Sequence, residues 1–386
     1  MKKGVIILLY FYILAFPALG QDENKKAELN GYVSSLTSSM FRELSNPMLI
    51  DNIIHNRLNF KAWLSPKLTF AAEARNRLFM GDMVVNSGST YSNLVAADRG
   101  FMDLSWNLAN ETSFFINTTI DRLWLDYSTG KFQATIGRQR INWGQSLIWN
   151  PNDIFNAYSY FDFDYTERPG SDAVRLQYYT GSSSAIELAV KANNDNEITA
   201  AALYRFNIWS YDFQFLSGVL ENDEFVAGFG WSGALGSVSF RGEGTWFKPF
   251  ENVSVKRSTT LFTFGFDKIF GNNSIAQAQV LLSDNTSYFD DARALFSIGD
   301  MSVKDLAFSR FTAFGSYSYP VTPLLTAGLS AMWFPDRKGY FTGLSADYSV
   351  AENVDVTLLW QHFKGDFGSE IGYRVNLGFL RIKFSF

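Results

Sequence analysis

The stretch FTAFGSYSYPVTPLLTAGLSAMWFP, from Phe311 to Pro335, carries no charged residue and is long enough to pass for a membrane-spanning helix. Its internal pattern says otherwise. Phe311, Ala313, Gly315, Tyr317 and Tyr319 take one side of a period-two alternation, with Arg310, Thr312, Ser316 and Ser318 opposite. After Tyr319-Pro320-Val321-Thr322-Pro323, Leu325, Ala327, Leu329, Ala331 and Trp333 oppose Thr326, Ser330 and Met332. Two prolines break any helix here, and a side-chain period of two belongs to a strand, so the stretch reads as a β-hairpin.

The same period recurs in segments of about ten residues, the length that crosses a bilayer as a tilted strand. Ile54, Leu58, Phe60, Ala62 and Leu64 oppose His55, Arg57, Asn59, Lys61 and Trp63; Leu68, Phe70, Ala72 and Ala74 oppose Thr69, Glu73, Arg75 and Arg77. Charges fall on one face only. Val174, Leu176 and Tyr178 oppose Arg175 and Gln177, while Val238, Phe240, Gly242 and Trp246 oppose Ser239, Arg241, Glu243 and Thr245. Short turns at Ser65-Pro66, Ser128 to Gly130, Thr180 to Ser182, Asn207 to Ser210, Gly233 to Gly236, Gly271 to Asn273, Pro320 to Pro323 and Ala351 to Asn353 alternate with longer polar stretches. The longer ones run Thr37 to Asn52, Met80 to Gly100, Trp143 to Gly170, Lys248 to Arg257 and Ser283 to Phe308. Short turns at one end and longer loops at the other are the habit of bacterial barrels. The fold expected is all-β, a transmembrane antiparallel up-and-down β-barrel of about 18 strands, within about 16 to 20, a hairpin at Asn110 to Ile120 raising the count. In lipid the sheet must close, because open strand edges leave backbone groups unpaired. A soluble sandwich is disfavoured by aromatics at strand ends such as Tyr127 and Phe132, placed where girdles meet headgroups.

The ends of the chain agree with a barrel delivered to a Gram-negative outer membrane. Lys2 and Lys3, an apolar run from Val5 to Phe16 and Ala18-Leu19-Gly20 read as a signal peptide over residues 1–20, leaving 21–386 as the barrel. The last strand alternates Leu380, Ile382, Phe384 and Phe386 with Arg381, Lys383 and Ser385. A terminal aromatic on such a strand looks like the signal read by the barrel-assembly machinery. The chain has no cysteine, so an oxidising envelope adds no disulfide. Charged residues make up only 18% of it, yet mean hydropathy is −0.06, as a wall with one lipid face and one wet face requires. Loss of Lys2 and Lys3 takes the formal charge from −5 to −7, which gives nucleic acid no basic surface.

Asp121-Arg122-Leu123-Trp124-Leu125-Asp126-Tyr127 and Ile136-Gly137-Arg138-Gln139-Arg140-Ile141-Asn142-Trp143-Gly144-Gln145 form a recognisable pattern, continued by Trp149 to Phe155 and Glu167-Arg168-Pro169-Gly170. Over residues 121–176 it resembles porin-superfamily barrels related to alginate-export proteins. The resemblance implies a transport pore, without fixing alginate as its solute.

Strict alternation after Phe132, Ala134 and Ile136 would aim Arg138 and Arg140 at lipid, at about 2 to 4 kcal/mol each near mid-membrane. A β-bulge at Gly137 is the expected remedy, turning both arginines inward. The pore lining then comprises Arg57, Lys61, Glu73, Arg75, Arg77, Arg122, Asp126, Arg138, Arg140 and Arg175. These residues either form a cationic constriction for small polar, anionic or saccharide solutes or are a solvated lining paired with Glu73, Asp121 and Asp126. The loop from Trp143 to Gly170 is too aromatic for free solution. Its Trp143, Trp149, Phe155 and Tyr158 either fold inward as sugar-stacking surfaces or pack at the rim as scaffold.

No catalytic residue, cofactor or metal is expected. An outer-membrane hydrolase is the weaker alternative, because it would need His55 or His362, the only histidines, as its base and neither has a nucleophile motif beside it; Asp162, Asp164 and Glu167 read as a solvated face as well as a Ca²⁺ site. A surface or assembly barrel filled by its own loops is the other reading, though only about ten residues lie between Gln21 and the strand at Gly31, too few for a plug domain. Solute, direction of passage and oligomeric state stay open at the level of sequence.

Overall fold

Alternating residues become strand along nearly the whole chain. The computed structural model describes residues 26–43, 45–161, 167–168, 170–250, 257–286, 301–367 and 370–386. The signal-peptide segment therefore lies outside the described residues. The strands are β1 (Ala27–Phe41), β2 (Leu49–Ser65), β3 (Leu68–Gly81), β4 (Ser105–Asn110), β5 (Phe114–Thr129), β6 (Phe132–Gln139) and β7 (Ser171–Tyr179). They continue as β8 (Ala185–Ala192), β9 (Ile198–Ile208), β10 (Tyr211–Leu220), β11 (Glu224–Leu235), β12 (Val238–Pro249) and β13 (Thr259–Ile269). The last are β14 (Ile275–Ser283), β15 (Phe311–Thr322), β16 (Leu325–Phe334), β17 (Gly339–Ala351), β18 (Val354–Phe367) and β19 (Glu370–Ser385).

Each strand pairs antiparallel with its neighbours, and β19 returns to β1, closing a barrel of 18 strands. The hairpin at 110–120 exists, but only one arm is a full wall strand. β4 pairs with residues 115–119 of β5, and β6 takes over the same edge from residue 123, so β4 patches the wall above the short β6. At the seam Gly31 and Phe386 exchange both backbone hydrogen bonds, at 3.0 and 2.9 Å. A Cβ at Gly31 would run into the carbonyl of Arg57 and the ring of Phe386, so the seam needs glycine there.

All eight short turns lie at one end of the barrel. The turn between β9 and β10 has Trp209 and Ser210 both at positive φ, 55° and 64°, the twist that suits a two-residue hairpin loop. The opposite end is less uniform than the sequence suggests. The Thr37 to Asn52 stretch is mostly strand, and Asn193–Glu197, Glu221–Asp223 and Pro335–Lys338 are tight connections there. The long excursions are 82–104, with helices α1 (Asp82–Ser87) and α2 (Ser89–Ala96), 140–170, and 284–310. Residues 251–256 and 287–300 of the expected loops lie outside the described residues.

The interior departs most from a wet lining. From β9 round to β19 the inner face carries an apolar cluster among its polar residues: Leu203, Leu216, Val226, Phe247, Leu281, Phe314, Met332, Phe341 and Phe363 are buried together with Trp143, Trp149, Ile154 and Phe155 of the inward loop. Phe308, next to the 3₁₀ turn Val303–Leu306, joins them. The aromatic loop covers this apolar cluster, and the burial is what draws it in.

Candidate functional site

β6 stops at Gln139 because its chain is needed inside. Gln139 Nε2 donates to the carbonyls of Thr135 and Ala173, and Ile141 N donates to Asn156 Oδ1 at 2.8 Å, starting a loop that crosses the interior. Inner residues of every second strand then grip it. Glu187 of β8 accepts from Trp143 Nε1 at 3.1 Å, and Gln214 of β10 donates to the Trp143 carbonyl at 2.6 Å. Glu243 of β12 accepts from the backbone N–H groups of Gln145, Ser146 and Asn152. Gln279 of β14 accepts from Ile148 N at 2.9 Å and donates to the Trp149 carbonyl at 3.0 Å. Asn152 is pinned in turn by the carbonyl of Phe229 and the hydroxyl of Thr245. Buried backbone groups must find partners, and here strand side chains supply them.

The far end of the loop lands on the opposite, charged wall. Arg57 bonds Glu73 at 2.5 Å and Asp121 at 2.6 Å, with Glu167 at 3.9 Å; Arg75 reaches Asp121 at 3.3 Å. Tyr32 donates its hydroxyl to Glu167 at 2.8 Å, while Arg122 donates to the carbonyls of Glu167 and Arg168. Arg77 bonds Asn117 and lies over the ring of Phe79. Arg175 of β7 and Arg205 of β9 share Glu187. Lys61 is exposed above the ring of Trp63, and Asp126 accepts from Gln133 and Thr135.

The register change expected at Gly137 is elsewhere. β5 and β6 pair without a shift through Gly137, whereas β3 and β5 slip between Glu73 and Ala74, opposite Arg122 and Ile120. The extra residue is Asp121, which the bulge turns to the same side as Arg122, into reach of Arg57 and Arg75. Gly137 has φ 111°, and a Cβ there would strike the carbonyl of Leu123, so glycine serves close strand approach instead. Arg138 accordingly does not line the interior. It stays in the wall, 5% exposed, bonded to Asp98 at 2.6 Å, Asp172 at 2.7 Å and the carbonyl of Met102 at 2.6 Å. Arg140 does pass inside, beside Asp153.

Nor are the loop aromatics open surfaces. Trp143, Trp149 and Phe155 are buried, Trp143 edge-on to Phe155, and Arg168 covers the ring of Tyr158 at 3.3 Å. Of the acids weighed for Ca²⁺, Asp162 and Asp164 lie outside the described residues, and Glu167 is engaged with Tyr32. His55 is buried on the inner wall against Tyr32; His362 faces outward, stacked on Trp360. The residues missed by sequence are the grips: Glu187, Gln214, Glu243 and Gln279. Their signal is a lone acid or amide on the inward side of an otherwise small or apolar strand, as in Arg241-Gly242-Glu243-Gly244.

Burial pushes the Asp153 carboxyl up to about 7, against the lowering effect of the Trp143 N–H and the Arg140 charge. Its folded value stands above the ordinary 3.8, so the native loop holds an extra proton between the two. That contribution to stability is complete below the ordinary value and is lost as pH rises through about 7. Asp153→Asn is expected to flatten the dependence of the melting temperature on pH across this window; an unchanged slope would place the titrating group elsewhere.

No family model matches the sequence, and no curated protein does. Solved structures do match its fold. The crystal structure of OccK11 (OpdR) from Pseudomonas aeruginosa superimposes with a TM-score of 0.59 at 8% identity, covering 96% of this chain and 98% of that one. OccAB3 from Acinetobacter baumannii gives 0.60 at 9%, covering 93% and 99%, and OccK7 (OpdD) from Pseudomonas aeruginosa 0.57 at 12%, covering 94% and 99%. At such identities the likeness is one of fold: the 18-strand barrel of the Occ/Opd proteins.

Proposed function

We propose that the chain is an outer-membrane porin in which an inward loop narrows a channel for passive passage of small hydrophilic solutes, anions preferred. The observation that carries this reading is the division of the interior. One side carries the apolar cluster that receives the loop and holds it by Glu187, Gln214, Glu243 and Gln279, with Arg175 and Arg205 beside them; the other carries Arg57, Arg75, Arg77 and Arg122. Charged rims against a low-dielectric wall focus the field on whatever passes between them. The Occ/Opd barrels, which are outer-membrane porins, share the fold and support the assignment. In this reading residues 1–20 are removed on export, and Phe386 presents the last strand to the assembly machinery. The finer resemblance of residues 121–176 to alginate-export-like barrels keeps a carboxylated saccharide among the solutes to test.

A second reading, a non-conducting surface barrel, draws on the same interior: loop aromatics fill much of it, and Arg57 and Arg138 are held in ion pairs. Conductance of the purified chain in planar bilayers separates the two. Arg205 is the solvent-facing test of selectivity, being 40% exposed while Arg175 remains to hold Glu187. Steady conductance with anion preference, reduced in Arg205→Gln as read from the reversal potential in a salt gradient, is the expected result. Folded protein that passes no current would replace the porin reading with the surface barrel.

A further inference from the structure

Two tryptophans of the inner wall are left uncovered. Trp143 and Trp149 of the inward loop are buried, whereas Trp63 of β2 and Trp124 of β5 face the lumen, Trp63 37% exposed and Trp124 partly so. Neither serves the lipid girdle. On the same strands Phe60, Leu64, Leu125 and Tyr127 take the outward positions, and alternation puts both indoles on the wet side. An indole held against water forgoes the burial that the loop tryptophans obtain, so its place on this wall calls for a ligand-facing account.

Register fixes how the two stand to one another. Trp63 is paired through Thr69 of β3 to Asp126 of β5, and Lys61 through Ala71 to Trp124. Two strand spacings across and two residues along set the two Cα atoms roughly 12 Å apart, the span of a short oligosaccharide. The wall beside Trp124 is low, with Ala71 on one side and Gly137 on the other. Polar groups border the pair. Asp126 accepts from Gln133 and Thr135 on Oδ2, at 2.8 and 2.6 Å, and its Oδ1 meets the Ser128 hydroxyl at 3.5 Å. On the other flank Asn59 Nδ2 donates to Asn30 Oδ1 and Asn30 Nδ2 to Glu28 Oε1, each at 3.0 Å. Lys61 Nζ rests over the Trp63 ring at 5.3 Å, a contact that is weak at an exposed site and yields to a ligand whose hydroxyls take the ammonium protons.

We propose that this patch, between the arginine wall and the short-turn mouth, is a binding subsite for a neutral oligosaccharide built of pyranose rings. Such a ring has an apolar face of C–H bonds and a rim of hydroxyls; the face stacks on an indole while the rim meets carboxylate, amide and ammonium groups. Two indoles at this spacing hold two rings of one chain. Charge selects a neutral ligand, because Lys61 is paired across the strands with Glu28 and stands near Asp126, so the patch has no cationic excess of the kind carried by Arg57, Arg75 and Arg77. The subsite deepens the porin reading and rests on it for its place along a solute path, but its binding step is measured without current.

The test titrates the folded full-length chain in detergent with cellotriose, read by saturation-transfer NMR, and records current in planar bilayers on the same preparation. Trp63→Ala, Trp124→Ala and Trp63→Phe are compared with Trp333→Ala, whose ring faces outward, and heat-dependent gel mobility reports folding of each. Wild type and Trp333→Ala are expected to bind cellotriose alike, each inward alanine variant to bind about tenfold more weakly, and Trp63→Phe to fall between. Sorbitol, which has the hydroxyls without the ring, is expected not to bind. The proposal is overturned if wild type does not bind cellotriose, if both inward alanine variants bind it as wild type does, or if sorbitol binds equally. Current without cellotriose binding removes the subsite and keeps the porin; binding lost in the inward variants of a chain that passes no current keeps the subsite and removes the porin.

Discussion

Glu243→Ala is expected to raise single-channel conductance severalfold while leaving the barrel folded. The carboxylate is fully buried, and it accepts from three backbone N–H groups of the inward loop, those of Gln145, Ser146 and Asn152. Without it three buried donors lose their acceptor, each at about 1 to 3 kcal/mol. The ladders of β11, β12 and β13 are backbone to backbone and do not depend on this side chain. The loss therefore falls on loop docking, and the loop swings from the lumen for part of the time. Glu243→Gln should lie between wild type and Glu243→Ala, since its carbonyl still accepts while its amide opposes one N–H. Recordings in planar bilayers, with heat-dependent gel mobility as the folding control, check the series. A conductance that does not move in Glu243→Ala would mean that the loop does not set the constriction.

Arg138→Ala should do the reverse, lowering stability sharply while leaving ion selectivity where it was. Its guanidinium joins Asp98 of the 97–104 segment, Asp172 of β7 and the carbonyl of Met102 where β6 ends and β4 begins. Removal leaves two carboxylates, 10% and 4% exposed, without their cation, and breaking such a buried network costs on the order of 3 to 5 kcal/mol. Because this cluster seals the wall, the ion pathway should not register its loss. Lowered thermal stability with an unchanged reversal potential is the expected pair of results. Selectivity lost at undiminished stability would return Arg138 to the lumen.

Arg138 also shows where sequence reasoning stops. Alternation correctly aimed it outward, and the cost of a charge in lipid correctly demanded a remedy. The sequence suggested a bulge at Gly137; the molecule leaves the register alone and brings Asp98, 40 residues away, to cover the charge. The actual bulge at Asp121 has a mark of its own, since the outward residues fall at even positions through Ile116 and Ile120 and at odd ones from Leu123 and Leu125, with Asp121 and Arg122 adjacent between them. The aromatics of the loop left both the lumen and the rim open to it, and the apolar cluster that receives it, with Phe314 and Met332, departs from the polar lining the sequence suggested. The grips were not, because Glu187, Gln214, Glu243 and Gln279 acquire their role only when four separate strands face one loop.

The sequence by itself determined the barrel, its strand number within narrow bounds, the eight tight turns and the inner or outer side of most residues. Those properties follow from a side-chain period of two and from turn chemistry, both of which act over a few residues. Tertiary structure alone decided which charges meet, where the register slips and which wall the loop grips. Those outcomes rest on contacts between residues dozens to more than a hundred positions apart, as between Ile148 and Gln279, and closure of the sheet is what brings them together.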